Sequence, residues 1–159
     1  MIYKEILLNN NDVLYFKFNN PQENLNSSFE NVKPYVSFNL GVKLQGTSWT
    51  GFDTSFQGED GFVMFGDEFY AILKKLKSLI NDYKEDEIII TDFEGDTDAE
   101  IHIKCEKSRV LIFGHLGQDY NWTDDSNDNI QSPVLKFKTE TTSDCLVKLY
   151  ETFNEMISL

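Results

Sequence analysis

Hydrophobic and polar positions alternate most regularly between residues 35 and 45. Val36, Phe38, Leu40, Val42 and Leu44 fall on one face, and Ser37, Asn39, Lys43 and Gln45 on the other. Period two over this length predicts a strand with one buried face and one wet face. Upstream, two apolar-rich runs at 2–8 and 12–18 flank Asn9-Asn10-Asn11 and predict a hairpin. The polar stretch 19–33, with Pro21 and Ser27-Ser28, reads as a loop. A turn at Gly46-Thr47 leads to a further expected strand near 48–56, with Gly51 embedded in it, Trp49, Phe52 and Phe56 as its apolar side chains, and Asp53 pointing away or closing a turn.

The period changes after Phe65-Gly66-Asp67. Phe69, Ile72, Leu73, Leu76, Leu79 and Ile80 recur at helical spacing, with Asp67 expected as the N-cap and the helix ending near Asn81-Asp82. Four more strands are predicted at 86–93, 98–106, 108–116 and 132–140. In them Ile101, Ile103 and Cys105 alternate with His102 and Lys104, and Val110, Ile112, Gly114 and Leu116 form the next apolar face. Short links at Gly95-Asp96 and Lys107-Ser108 suit an antiparallel meander. Thr142 or Ser143 is expected to cap a last helix with a stripe of Leu146, Leu149, Tyr150, Phe153, Met156 and Ile157. The sum is one α+β domain over residues 1–159: a single, strongly twisted antiparallel meander with two helices packed on it. Ser37, Asn39, Lys43 and Gln45 are expected in water.

Composition adds a partner argument. The chain has 27 Asp and Glu against 14 Lys and Arg, a net charge of −13 over 159 residues. Nucleic acid is not expected as a direct ligand, because phosphate binding needs clustered Lys and Arg. A compact acidic protein suits a basic partner, although acidity by itself also suits a soluble protein with no particular partner. No apolar run reaches the ~18 residues of a membrane span, and Met1-Ile2-Tyr3-Lys4-Glu5 lacks a signal peptide's basic start, so a cytoplasmic location off the membrane is expected. Cys105 and Cys145 lie 40 positions apart. Two reduced, buried thiols are the favoured reading over a disulfide.

The acidic residues concentrate in two places. Asp92, Glu94, Asp96 and Asp98 belong to the first, and Asp119, Asp124, Asp125 and Asp128 to the second, which also holds Tyr120 and Trp122. If both segments sit at one end of a sheet, their fields add and steer a basic partner. Tyr and Trp bury much area at small entropic cost, so the second segment is the interface candidate. The competing reading is a solvated loop with its rings folded onto the sheet. Neither run is a calcium loop: the Gly and bidentate Glu required at positions six and twelve are Thr97 and Ile103 in one, and Asn129 and Leu135 in the other. His102 and Cys105 fall on opposite faces of a strand, and neither they nor His115 have ligands at zinc spacing, so no metal or cofactor is expected. The phosphate-binding, nucleophile-elbow and dinucleotide signatures are missing.

Six segments together resemble a known family. They are Val36-Ser-Phe-Asn-Leu-Gly-Val-Lys-Leu, Trp49-Thr-Gly-Phe-Asp, Phe65-Gly-Asp-Glu-Phe-Tyr-Ala-Ile-Leu, Val110-Leu-Ile-Phe-Gly-His-Leu, Leu135-Lys-Phe-Lys-Thr-Glu and Ser143-Asp-Cys-Leu. The pattern, across most of residues 34–158, resembles the small WapI-type immunity proteins of bacterial polymorphic-toxin systems. The resemblance implies a cytoplasmic, non-enzymatic protein that binds the C-terminal domain of a cognate toxin and blocks it, free as a monomer or weak homodimer. Such toxin domains are often basic nucleases, which an acidic inhibitor complements. Two alternatives stand beside this: a homo-oligomeric or adaptor module of unknown partner, and an enzyme using paired carboxylates, with or without a divalent ion.

Overall fold

The computed structural model describes residues 1–19, 35–44, 47–50, 62–91, 99–117 and 134–158. The first hairpin joins β1 (Ile2–Leu7) to β2 (Val13–Phe18), with Ile2 opposite Phe18 and Leu7 opposite Val13. Its turn is one short 3₁₀ segment, Asn9–Asn11. Asn10 and Asn11 both take positive φ, 59° and 62°, which asparagine tolerates better than most side-chain-bearing residues. The Leu8 N–H donates to the Asp12 carbonyl at 2.8 Å and closes the turn.

β3 (Tyr35–Leu44) pairs with β2 along one side. Its second half pairs with β4 (Thr47–Thr50) and its first half with β5 (Phe62–Phe65), making a five-stranded antiparallel sheet. β5 is a strand that the periodicity did not indicate, because four residues reading Phe-Val-Met-Phe carry no alternation. It runs directly into α1 (Gly66–Asn81). The helix therefore starts earlier than expected. Phe65, in extended conformation, holds the N-cap position, and Asp67 lies inside the first turn, where its carboxylate accepts from the Glu68 N–H at 3.1 Å. Asp67 and Glu68 still complement the positive end of the helix dipole.

The second sheet is the expected meander: β6 (Asp86–Thr91), β7 (Ala99–Cys105), β8 (Val110–Gly117) and β9 (Val134–Thr141), paired in chain order. The fold is α+β, but its strands divide into two sheets where one was expected. α2 (Asp144–Ile157) follows β9. Ser143 holds its N-cap position in helical conformation and makes no side-chain capping bond; the Leu146 N–H bonds the Ser143 carbonyl instead, at 3.0 Å.

One buried cluster runs through both sheets and both helices. The helices pack on each other and on the first sheet. At their meeting point Phe16 of β2, Phe38 of β3, Phe69 of α1 and Phe153 of α2 form an aromatic nest, with ring centroids 5.2 to 6.3 Å apart. Each buried Phe contributes about 1.5–3 kcal/mol by transfer, and each ring pair adds about 0.5–1.5 kcal/mol. Inner-face residues Ile88, Ile90, Ile101, Ile103, Val110 and Ile112 continue the cluster into the second sheet. A polar clasp ties β9 to the first hairpin turn, where the Thr139 hydroxyl donates to the Asp12 carboxylate at 2.8 Å.

Two patterning expectations need correction. Ser37 and Asn39 are buried, at 8% and 5% exposure, and not in water. β3 is an interior strand, and on its outer face the buried Tyr15 ring lies over Gly41, where a Cβ would stand 2.2 Å from the ring. Lys43 does reach solvent, while Gln45 lies outside the described residues. Ile80 is 37% exposed and falls off the buried stripe of α1. The expected strand 48–56 is described as far as Thr50 only, and Phe52, Asp53 and Phe56 lie outside the described residues.

Candidate functional site

The ten residues singled out in the sequence, Asp92, Glu94, Asp96, Asp98, Asp119, Tyr120, Trp122, Asp124, Asp125 and Asp128, all lie outside the described residues. The strand ends that carry them are described. β6 ends at Thr91, whose neighbour Glu100 follows the start of β7 at Ala99. Ala99 pairs with Leu116, and Gly117, the end of β8, pairs with Val134, the start of β9. Both acid-bearing connections, 92–98 and 118–133, therefore leave from the same end of the second sheet. They carry eight carboxylates and no Lys, Arg or His. Gly114 lets β8 lie close to β7 near this end: its φ is +154°, and a Cβ there would meet the Glu100 carbonyl oxygen at 2.0 Å.

The outer face of the same sheet holds a cluster that sequence reading did not assemble. His102 projects from β7 between two carboxylates. Its Nδ1 lies 2.7 Å from Glu87 of β6, and its Nε2 bonds Glu100. The ring stacks on Phe113 of β8, centroids 4.8 Å apart and planes 11° from parallel. Burial disfavours the imidazolium, but the bonds to Glu87 and Glu100 outweigh it and hold the ring's pKa above its ordinary value. Both nitrogens can donate only in the charged form. The side chain is 20% exposed. His102 was expected as a surface residue opposite the apolar face. It does lie on the outer face, half-buried and partnered.

The opposite end of this sheet is charge-compensated. The β7–β8 turn closes through the Glu106 N–H and the Arg109 carbonyl at 2.9 Å. Arg109 bonds Glu106 at 3.2 Å and Glu140 at 2.9 Å, and the Tyr83 hydroxyl donates towards the Glu106 and Arg109 carbonyls. Lys75 of α1 pairs with Asp86 at 3.0 Å and, with the Glu87 N–H, holds that carboxyl below the usual range. An open cleft of about 630 Å³ lies here, lined by both signs of charge, Asp86 and Glu106 beside Lys104 and Lys107.

A second cation is held on the outer face of the first sheet. Lys43 donates to Glu5 at 2.5 Å and to the Tyr3 hydroxyl at 2.7 Å, and lies 5.3 and 5.4 Å from the Tyr3 and Tyr15 ring centroids. These bonds raise the lysine's pKa and lower that of Glu5. Cys105 and Cys145 are free and buried, and burial pushes the Cys145 thiol up to about 12. Among the described residues, no three His, Cys, Asp or Glu side chains gather as a metal site. Among the same residues, no helix is long and apolar enough to cross a membrane. No family model, curated protein or solved structure matches the chain.

Proposed function

We propose that this is a non-enzymatic immunity protein that binds and neutralises a basic, nuclease-type toxin domain through the acidic end of its second sheet. The observation that carries the reading is topological. An antiparallel meander returns its first and third connections to one end, and those two connections hold eight carboxylates without a basic residue. Charge gathered on one end steers a partner, whereas the same charge spread over the surface serves solubility. In this reading the carboxylates of Asp92, Glu94, Asp96 and Asp98, with Asp119, Asp124, Asp125 and Asp128, occupy the positions of substrate phosphates in a basic cleft. Tyr120 and Trp122 supply apolar anchors. The resemblance to WapI-type immunity proteins points the same way.

The test is co-expression with the C-terminal domain encoded immediately upstream, scoring growth and co-purification. Rescue from toxicity with a 1:1 complex is expected. Replacing Asp119, Asp124, Asp125 and Asp128 together by Asn should slow association by about tenfold or more at low salt, because steering dominates the on-rate of such pairs. A toxic neighbour that this protein neither binds nor neutralises would end the proposal.

A further inference from the structure

β6 presents a backbone edge that no other described strand covers. Along an antiparallel strand, successive residues turn both peptide groups towards the partner strand or both away from it. Glu87 shows which set turns away from β7: its N–H donates to the Asp86 carboxylate at 2.8 Å and its carbonyl accepts from Lys75 at 2.5 Å. By alternation Ile89 and Thr91 also turn outward, while Asp86, Ile88 and Ile90 carry the ladder to Cys105, Ile103 and Ile101. β6 is the terminal strand of its sheet among the described strands. The outward groups of Glu87 are thus covered by side chains. Among the described residues none bonds the outward groups of Ile89 and Thr91. Both residues are exposed, Ile89 at 46%.

Unpaired edges invite added strands, and proteins ordinarily blunt them. Here one outward residue is blunted and the next two are open, directly before Asp92. We propose that Ile89 and Thr91 pair with an extended, basic segment of the partner, which adds a fifth strand to the second sheet. This rests on the partner-binding reading above and specifies its mode. Charge selects the occupant. A second copy could pair Ile89 with Thr91 across a two-fold axis. That register sets two strands side by side that each lead directly into an acidic connection, and each chain already carries −13. A strand alternating basic and apolar residues, paired at Ile89 and Thr91 beyond the Lys75 contact on Glu87, is instead attracted by the acidic connection that begins at Asp92. Its apolar side chains extend the row of Ile88 and Ile90, and its basic ones lie beside Glu87, with their stems on Ile89.

The probe is a seven-residue peptide of alternating Lys and Val, capped at both ends, with a Glu-for-Lys version as control. At saturating Lys peptide, exchange of the Ile89 and Thr91 amides should slow by about tenfold, the size of one net hydrogen bond, while the Glu peptide leaves it unchanged. Ile89→Pro removes an outward N–H without touching the β6–β7 ladder, so it should abolish this protection in a folded protein. Unchanged exchange in the wild-type protein at peptide concentrations up to millimolar would overturn the proposal without reference to any variant. The upstream toxin domain separates the two ideas. Binding of that domain equally by wild type and by folded Ile89→Pro overturns the edge and leaves the immunity reading standing. Protection by the Lys peptide with no toxin complex supports the edge and removes the immunity reading.

Discussion

The two ends of the second sheet are built from the same strands and treat charge in opposite ways. At the β7–β8 turn acids are paired with bases: Glu106 and Glu140 share Arg109, Asp86 has Lys75, and Tyr83 fastens the turn's carbonyls. At the other end eight carboxylates leave on two connections that contain no basic residue. The first arrangement uses charge to hold the fold. The second gathers acid on connections whose own sequence supplies no basic residue. This difference is what supports the proposal that the compensated end serves as scaffold and the acidic end as the recognition surface.

Substitutions can break or sharpen this division. Phe153→Ala should cost about 3–5 kcal/mol in chemical denaturation and loosen both ends alike, because the aromatic nest belongs to the core that both share. If it loosened only one end, the sheets would not be standing on a common core. Gly114→Ala drives a Cβ against the Glu100 carbonyl and should cost about 2–4 kcal/mol. Amide exchange should place the damage where β7 and β8 meet near the acidic end and spare the Arg109 turn. Tyr83→Phe removes the turn's side-chain donor and should cost about 1 kcal/mol, with faster exchange confined to residues 106–109.

The His102 cluster gives a smaller, pH-dependent effect. The folded pKa is raised above the ordinary 6.5, so the proton stabilises the folded state. That contribution is fully present below pH 6.5 and is lost as pH rises through the folded value. It should stay below about 1 kcal/mol, because Glu87 and Glu100 are well exposed to screening water. Denaturation of wild type and His102→Gln across pH 5–9 checks this: the decline above neutrality should be missing from the variant. Smallest of all, Asn at Asp119, Asp124, Asp125 and Asp128 should change stability by no more than about 0.5 kcal/mol. A large loss there would show that these acids serve the fold, and would erase the contrast between the ends.

Local periodicity and turn chemistry determined the first hairpin, the long β3 strand, both helices, the four-stranded meander and the α+β class. These depend on neighbours in sequence: Asn9-Asn10-Asn11 can turn left-handed, and apolar side chains spaced by two or by three and four each specify one buried face. The acidic runs and the absence of catalytic signatures were equally legible. The tertiary structure decided what depends on strands meeting from far apart. It divided the strands into two sheets, buried Ser37 and Asn39 by placing β3 inside its sheet, and made a strand of Phe62–Phe65 by pairing it with Tyr35–Phe38. Alternation put Glu100 and His102 on one face. Only the register of β6 against β7 brought Glu87 to the same ring, and only the position of β6 at the edge of the described sheet left the outward groups of Ile89 and Thr91 without a partner among the described residues. A side-chain period states which face a residue occupies, and register alone states what it meets there.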